Sequence, residues 1–190
     1  FEVTAFRMDF SNQIIPANSN SDFQVTNGGE TLHQGIEMAV GYSFGNGFSI
    51  DANTTWVPDA RFVGDRLSAT GAVTTPDGNR VPYTPEWLAN LTFSYTRGAL
   101  QTALIVHHTR DQYTDTANTV AIRENTSGFF TGQVDAYTLV DLTASYEFTP
   151  AFRIYGGVKN LADRDYVASL RQGIYVGPER SVDFGAQYRF

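Results

Sequence analysis

The sequence contains no cysteine among its 190 residues, which excludes a disulfide framework and a thiolate metal site. It contains a single lysine, Lys159, beside twelve arginines, and its formal net charge of −7 argues against nucleic acid as a partner. No stretch of 18 or more apolar residues is present, so no membrane-spanning helix is predicted. The first residues also lack the charged and apolar regions of a signal peptide.

What the sequence has in abundance is a strict alternation of apolar and polar residues, the pattern of β-strands with two unlike faces. One segment departs from it, because the alternation slips near Ala5 and Phe6, which predicts a β-bulge there. The pattern predicts eight strands, at about 1–10, 36–44, 48–56, 87–95, 100–109, 140–148, 152–159 and 180–190.

Short and long connections alternate strictly between these strands. The short ones are Gly45-Asn46-Gly47, Arg97-Gly98-Ala99 and Thr149-Pro150. The long ones cover roughly 14–29, 60–84, 114–136 and 161–179, with boundaries uncertain by about 2–4 residues. A transmembrane β-barrel has short periplasmic turns and longer extracellular loops, whereas a β-sandwich has no reason to place its long connections at one end.

Aromatic residues cluster at both ends of the predicted strands, as the two interfaces of a bilayer would select. Those beside the short turns are Phe44, Phe48, Tyr95, Phe148, Phe152, Tyr188 and Phe190, and those near the long loops are Trp56, Trp87 and Tyr137. A sheet in lipid must close on itself, because an open edge leaves polar backbone groups unpaired. The predicted fold is therefore all-β: an antiparallel transmembrane β-barrel.

The sequence resembles the C-terminal part of the TonB-dependent outer-membrane receptors. Segment 158–166, Val-Lys-Asn-Leu-Ala-Asp-Arg-Asp-Tyr, resembles the Asn-Leu-x-Asp-x-x-Tyr motif that begins the family's last extracellular loop. Segment 175–180, Tyr-Val-Gly-Pro-Glu-Arg, resembles the Gly-x-x-Arg motif that leads into the last strand. Segments 33–37 and 141–148 resemble strand motifs of the same receptors, in the same order along the chain.

Within that family, segments 112–119 and 173–177 resemble the ferric citrate receptor group. The resemblance implies that residues 1–190 form the last eight strands of a roughly 22-stranded barrel. It also implies an N-terminal plug with a TonB box and a signal peptide. The sequence contains none of these, so we expect the chain to be a portion of a larger receptor.

The resemblance further implies a function: uptake of a ferric siderophore or ferric hydroxycarboxylate across the bacterial outer membrane, gated by the plug and driven by the TonB complex. It implies no enzymatic activity and no cofactor apart from the transported ferric chelate. Guanidinium groups suit an anionic chelate, and the candidate ligand-binding residues in the predicted loops are Arg61, Arg66, Arg80, Arg123, Arg171 and Gln172. Alternatively, these arginines pair with nearby acids or with lipopolysaccharide phosphates. Arg180 is expected to order the last loop.

The C-terminus resembles the signal that the barrel assembly machinery reads, so that machinery is a predicted partner. Outer-membrane lipid and lipopolysaccharide are further predicted partners, because the resemblance implies an outer-membrane location. The signal residues would be Asp183, Gly185, Tyr188 and Phe190. An exposed, alternating edge strand can pair with a template strand before the barrel closes.

No metal site or catalytic site is predicted. His107 and His108 are adjacent, so on a strand they face opposite sides and cannot chelate one ion together. The sequence has no Gly-x-Ser-x-Gly, His-Glu-x-x-His or P-loop motif. Two other architectures stay open: a complete eight-stranded barrel that acts as an anchor or small enzyme, and a soluble β-sandwich binding module.

Overall fold

The computed structural model describes residues 1–16, 25–27, 29–67, 73–125 and 128–190. One continuous sheet contains eight antiparallel strands, and each strand pairs only with its neighbours in the chain. The strands are β1 (Glu2–Phe10), β2 (Glu30–Ser43), β3 (Phe48–Val63), β4 (Trp87–Arg97), β5 (Leu100–Thr109), β6 (Tyr137–Thr149), β7 (Phe152–Lys159) and β8 (Ser181–Tyr188). All eight predicted strands are confirmed.

The predicted alternation of connections is also confirmed. The short turns are 44–47, 98–99 and 150–151, and Gly45 and Gly47 have φ angles of 76° and 95° that their turn requires. We call the long connections loops 1 to 4; they are 11–29, 64–86, 110–136 and 160–180. Their paired segments are Ile14–Pro16 with Val25–Asn27, Arg66–Leu67 with Val73–Thr75, Gln112–Tyr113 with Gln133–Val134, Arg123–Glu124 with Phe130–Thr131, and Val167–Leu170 with Ile174–Val176.

The two faces of the sheet differ in chemistry, as the register shows. One row that crosses seven strands is apolar: Tyr42, Ile50, Phe93, Leu104, Leu142, Val158 and Val182. The row beside it on the opposite face is small or polar: Ser43, Ser49, Ser94, Ala103, Thr143, Gly157 and Asp183. An apolar outer face and a polar inner face are typical of a transmembrane barrel wall with a wide lumen.

Buried apolar residues lie at the long-loop end of the sheet. Among the described residues they are Leu32, Ala60, Phe62, Val134 and Leu170. The apolar side chains of the spanning band stay exposed in contrast, with Phe93 at 41% and Val182 at 70%. Loops 3 and 4 and the upper ends of β2 and β3 therefore contribute to the buried part of the molecule, whereas the strands below present their apolar face outward.

The bulge predicted near Ala5 and Phe6 is wrong. β1 pairs with β2 in one unbroken register from Glu2 to Phe10. The irregularity lies instead between β2 and β3, where Gln34 faces Asp59 but Ile36 faces Trp56, so two residues of β3 oppose Gly35. One of the two is proline, which lacks the N–H that a regular ladder needs.

Gly35 is required at this bulge. A Cβ atom there would lie 2.3 Å from the carbonyl oxygen of Trp56 and 2.9 Å from Cζ of Phe6. The slip of the apparent phase in β1 has another cause. From Phe6 to Phe10 the apolar side chains lie on the luminal face, while Arg7 and Asp9 lie on the outer face of the same unbroken register.

Neither alternative architecture matches the observed sheet. The described residues contain no second sheet that covers the apolar face, which excludes the β-sandwich. No ladder joins β1 to β8 in the described chain, so the eight strands do not form a closed barrel of their own. None of the described segments is a helix with the length and apolarity needed to cross a membrane.

Aromatic rings line the short-turn end in mutual contact. Phe48 lies 4.4 Å from Tyr95, Phe148 lies 5.7 Å from Phe152, and Tyr188 lies 6.2 Å from Phe190, measured between ring centroids. At the long-loop end, Trp56 and Trp87 face each other across β3 and β4. Tyr137 does not join them, because it lies on the luminal face of β6 and stacks on Tyr166 of loop 4 at 4.5 Å.

Candidate functional site

The long loops pack against one another at the extracellular end. The backbone N–H of Tyr83 in loop 2 donates to the carbonyl of Tyr113 in loop 3 at 2.9 Å. The N–H of Phe130 in loop 3 donates to the carbonyl of Arg171 in loop 4 at 2.6 Å. Loops 2, 3 and 4 thus form one bonded surface, beneath which Val134 and Leu170 are almost fully buried.

Asn118 joins loop 3 to loop 2 with its side chain. Its Oδ1 accepts the backbone N–H of Arg80 at 2.7 Å, and its Nδ2 donates to the carbonyl of Arg80 at 2.8 Å. The side-chain amide of Asn118 therefore pairs with both backbone groups of Arg80, as a neighbouring strand would. Asn118 adopts a left-handed backbone conformation, with φ 54°, which asparagine tolerates better than most residues.

Tyr83 joins loop 2 to loop 4. Its hydroxyl donates to the carbonyl of Leu170 and accepts the N–H of Leu170 at 3.3 Å. Its backbone φ is 55°, a strained value for an aromatic residue. One hydroxyl group therefore satisfies both backbone groups of a residue that is only 2% exposed.

Loop 4 is held by the residues of the two receptor motifs. Asn160 donates from Nδ2 to the carbonyls of Arg164 and Pro178 at 3.0 and 3.1 Å, and its Oδ1 accepts the N–H of Arg164 at 2.8 Å. Arg180 donates to Asp163 through its backbone N–H and its guanidinium, at 3.0 and 3.1 Å. The prediction that Arg180 orders the last loop is confirmed.

Three of the six predicted ligand-binding residues lie on two hairpins that neighbour each other. Arg123 lies in an exposed hairpin of loop 3, and Arg171 and Gln172 lie in the exposed turn of the loop 4 hairpin. The bond between Phe130 and Arg171 joins these hairpins directly. Within the described part of the chain, the guanidinium of Arg123 donates a 3.4 Å bond to the hydroxyl of Thr119.

Arg80 is placed differently, because its guanidinium binds backbone carbonyls. It donates to Thr84, Val57 and Pro58 at 2.8, 2.6 and 3.3 Å. Burial lowers the pKa of Arg80 from its usual value, while Glu86 and other acids act against that shift. Arg80 thus ties loop 2 to the bulge of β3.

Arg61 and Arg66 also have partners within the wall and loops. Arg61 forms a 3.0 Å ion pair with Asp59 on the same face of β3. The guanidinium of Arg66 lies 4.2 Å from the ring centroid of Phe62 and donates to Oε1 of Gln13 at 3.1 Å, joining loop 2 to loop 1. Burial lowers the pKa of Arg66.

The four residues of the predicted assembly signal lie on or after β8, the last strand of the sheet. Gly185 is covered by Tyr155 of β7, since a Cβ atom at Gly185 would lie 2.6 Å from Cζ of that ring. Tyr188 and Phe190 are exposed, at 64% and 112%, and Asp183 lies on the luminal face. Recognition by the assembly machinery remains a prediction.

The two histidines face opposite sides, as predicted. His107 lies on the luminal face, with its Nδ1 2.6 Å from Oδ1 of Asn90. The Nδ2 of Asn90 in turn donates to Oδ1 of Asn53 at 2.9 Å. His108 contacts Thr138 on the outer face. Within the described ranges, no group of three or more His, Cys, Asp or Glu side chains could hold a metal ion.

Eight sequential antiparallel strands, an apolar outer face and long packed loops at one end define a segment of a transmembrane β-barrel wall. The family profile "TonB dependent receptor-like, beta-barrel" matches residues 1–161, and the chain belongs to this family. The family resides in the bacterial outer membrane and consists of receptors for uptake.

Solved receptors share this fold. The chain superposes on the ferric citrate transporter FecA with a TM-score of 0.76 and 26% identity, over 97% of this chain and 28% of that one. It superposes on the ferric yersiniabactin uptake receptor FyuA of Yersinia pestis with a TM-score of 0.74 and 22% identity, over 99% and 27%.

Curated relatives match a shorter stretch. The vitamin B12 transporter BtuB of Photobacterium profundum is 43% identical over 60 residues, which are 32% of this chain and 9% of that protein. BtuB of Vibrio vulnificus is 37% identical over 76 residues, 39% of this chain and 12% of that protein. The chain therefore spans about a quarter of the receptor structures and a smaller share of these relatives.

Proposed function

We propose that this chain is the C-terminal barrel portion of a receptor that takes up a ferric hydroxycarboxylate or ferric siderophore. The observation that carries the proposal is the joined pair of hairpins with Arg123 and Arg171 on the exposed loop surface. The likeness to FecA, which transports ferric citrate, supports the same class of ligand.

The charge state of these two arginines suits an anionic ligand. The ion pairs among the described residues belong to Arg7, Arg61, Arg110 and Arg180, so the charges of Arg123 and Arg171 are not neutralised in that way. Guanidinium groups bind carboxylates through two parallel hydrogen bonds, which favours a chelate with carboxylate groups. Gln172 adds a neutral donor beside them.

Transport would require further parts of the receptor. A plug inside the barrel would close the lumen, and the TonB complex would act on the plug to admit the chelate. The small and polar luminal row, from Ser43 to Asp183, suits contact with such a polar domain. The transported ferric chelate would be cargo rather than a resident cofactor.

A corrinoid is the second candidate cargo, because the curated relatives are vitamin B12 transporters. Their identity to this chain covers 32% and 39% of its length. Cyanocobalamin is bulkier and carries less negative charge than ferric citrate, so it would depend less on guanidinium groups.

The test is ligand binding by the full-length receptor with Arg123→Ala and Arg171→Ala. We expect affinity for ferric citrate to fall by about tenfold or more, because two charge-assisted contacts would be lost. Isothermal titration with ferric citrate, a ferric catecholate and cyanocobalamin measures the effect. Arg97→Ala is the matched control, since Arg97 is exposed at a short turn on the opposite end.

The outcomes separate the candidates. Loss of ferric citrate binding in the loop variant alone supports the proposed site. Tight binding of cyanocobalamin, without binding of any ferric chelate, would replace the proposed cargo by the second candidate. Equal affinities in the loop variant and the control would refute the role of the two arginines.

A further inference from the structure

Several apolar side chains are exposed on the joined hairpins of loops 3 and 4. We call this surface the apolar loop patch, and its members are Val120, Ile122, Phe129, Ile174, Tyr175 and Val176. Single exposed apolar residues are common on protein surfaces, whereas a cluster of them marks a binding surface. Val120 and Val176 are the most exposed of the six, at 64% and 75%.

The backbone brings the two halves of the patch to one junction. The N–H of Gln133 donates to the carbonyl of Val120 at 3.1 Å. Segment Gln133–Val134 lies beside Val167–Leu170 of loop 4, and Val167 pairs with Val176 in the loop 4 hairpin. The exposed apolar residues of loop 3 and those of loop 4 therefore lie around the same contact between the two loops.

In loop 3 the patch adjoins Arg123. Arg123 follows Ile122 in the chain and pairs with Thr131 across the hairpin. The N–H of Asn125 donates to the carbonyl of Phe129 at 2.8 Å, which continues the same register. Residues two apart on a strand share a face, so Phe129 lies on the same face of the hairpin as Arg123.

In loop 4 the patch adjoins Arg171. The pair formed by Leu170 and Ile174 closes the turn that contains Arg171. The N–H of Arg171 donates to the carbonyl of Gly173 at 3.1 Å inside this turn. Both arginines of the proposed ligand site thus have exposed apolar residues as close neighbours on their own hairpin.

Folding of the loops does not account for the patch. The buried apolar residues of loops 3 and 4, among those the structure describes, are Val134 and Leu170. Every member of the patch is at least 37% exposed, so much of its apolar surface gains nothing from folding. A ligand that brings apolar surface of its own would explain why these side chains lie beside two cations.

We propose that the site takes an amphiphilic chelate, a ferric hydroxycarboxylate that carries an alkyl chain. This inference rests on the proposed function, because the carboxylates of the chelate would bind Arg123 and Arg171. The alkyl chain would lie on the apolar loop patch and remove its side chains from water. A chelate without such a chain is polar on every side and would leave the patch exposed.

The test compares the ferric complexes of two citrate monoamides, one with a methyl group and one with an octyl chain on the amide nitrogen. Their chelating groups are identical, so the two complexes differ only in apolar surface. The full-length receptor in lipid nanodiscs is titrated with each complex by calorimetry. We expect the octyl complex to bind at least about tenfold more tightly, because each methylene that leaves water strengthens binding by about fourfold.

Val120→Ser combined with Val176→Ser removes apolar surface from both halves of the patch. This variant should lower the preference for the octyl complex to about threefold or less. The matched control is Val63→Ser combined with Val73→Ser, at exposed positions at the end of β3 and in loop 2, and it should keep the preference. Parent and variants share the same bilayer, so partition of the octyl chain into lipid cancels in the comparison.

The outcomes distinguish this inference from the proposed function. Arg123→Ala combined with Arg171→Ala should weaken binding of both complexes alike. A parent receptor that binds both complexes equally, or a preference that Val120→Ser with Val176→Ser leaves unchanged, overturns the inference alone. An equal loss of preference in the control pair does the same. A parent that binds neither complex nor ferric citrate refutes the proposed function, and the inference with it.

Discussion

At the scale of one residue, Gly177 explains why the Gly-x-x-Arg motif begins with glycine. A Cβ atom at this position would lie 1.9 Å from Cζ of Tyr166, whose ring covers the glycine. The N–H of Gly177 also donates to the carbonyl of Tyr166 at 2.8 Å. Gly177 of the Gly-x-x-Arg motif thus leaves the space that the ring of Tyr166, the tyrosine of the Asn-Leu-x-Asp-x-x-Tyr motif, occupies.

Gly177→Ala should therefore loosen loop 4. The tyrosine ring must move, and overpacking of this kind costs about 1–3 kcal/mol. Limited proteolysis of the folded receptor should cut loop 4 faster in the variant. Gly173→Ala in the same loop is the control, because no atom lies within 4 Å of its Cβ position. Equal cutting rates in both variants would contradict this explanation.

The sequence predicted these motif residues but not their contacts. Asn160, Asp163 and Arg180 stand out by resemblance, and their hydrogen bonds confirm that they order the loop. Tyr83 and Asn118 were missed, because their roles depend on backbone groups in other loops that no local pattern marks. An asparagine in a loop suggests a left-handed residue, but it does not name the partner.

Tyr83 acts at the scale of whole elements, since one hydroxyl attaches the hairpin of loop 4 to loop 2. Tyr83→Phe should leave both backbone groups of the buried Leu170 without that partner, at a cost of about 1–3 kcal/mol. Hydrogen exchange should become faster across Val167–Val176. Tyr175→Phe, at an exposed position of the same hairpin, is the control. Unchanged exchange in Tyr83→Phe would show that the hairpin is held by other contacts.

Periodicity predicted the strands within the apolar band but not their extensions. β2 begins at Glu30 rather than near 36, and β3 continues to Val63 rather than ending near 56. The bulge at 57–58 shifts the alternation of β3 by one residue, so the continuation looks like a loop in the sequence. Beyond the apolar band the outer face is also polar. The two faces then no longer differ in polarity, so the sequence shows no alternation there.

At the scale of the whole molecule, the sheet has one face for lipid and one for the lumen. Substitutions at two adjacent residues, which lie on opposite faces, can test this assignment. Val40 lies on the same outer face as Tyr42, two residues before it, and Ala39 lies on the luminal face. Val40→Arg should destabilise the inserted receptor by about 2–4 kcal/mol, as expected for a charge near the membrane midplane. Ala39→Arg should be tolerated.

Urea unfolding of the receptor in lipid vesicles measures both variants. A similar loss of stability in Ala39→Arg and Val40→Arg would contradict the assignment of the two faces. The sequence sufficed to predict this sidedness, because alternation fixes it. It could not predict which arginines lie outside, since Arg61 follows the bulge and its face depends on the register.

The sheet is a simple succession in which every strand touches only the strands before and after it. A hairpin is consequently the smallest unit by which such a wall can gain or lose width. Inserting or deleting one hairpin keeps each remaining loop on its own side of the membrane, whereas a single strand would invert everything that follows. Gene duplication of strand pairs can therefore change the diameter of the barrel while the packed loops continue to diversify independently.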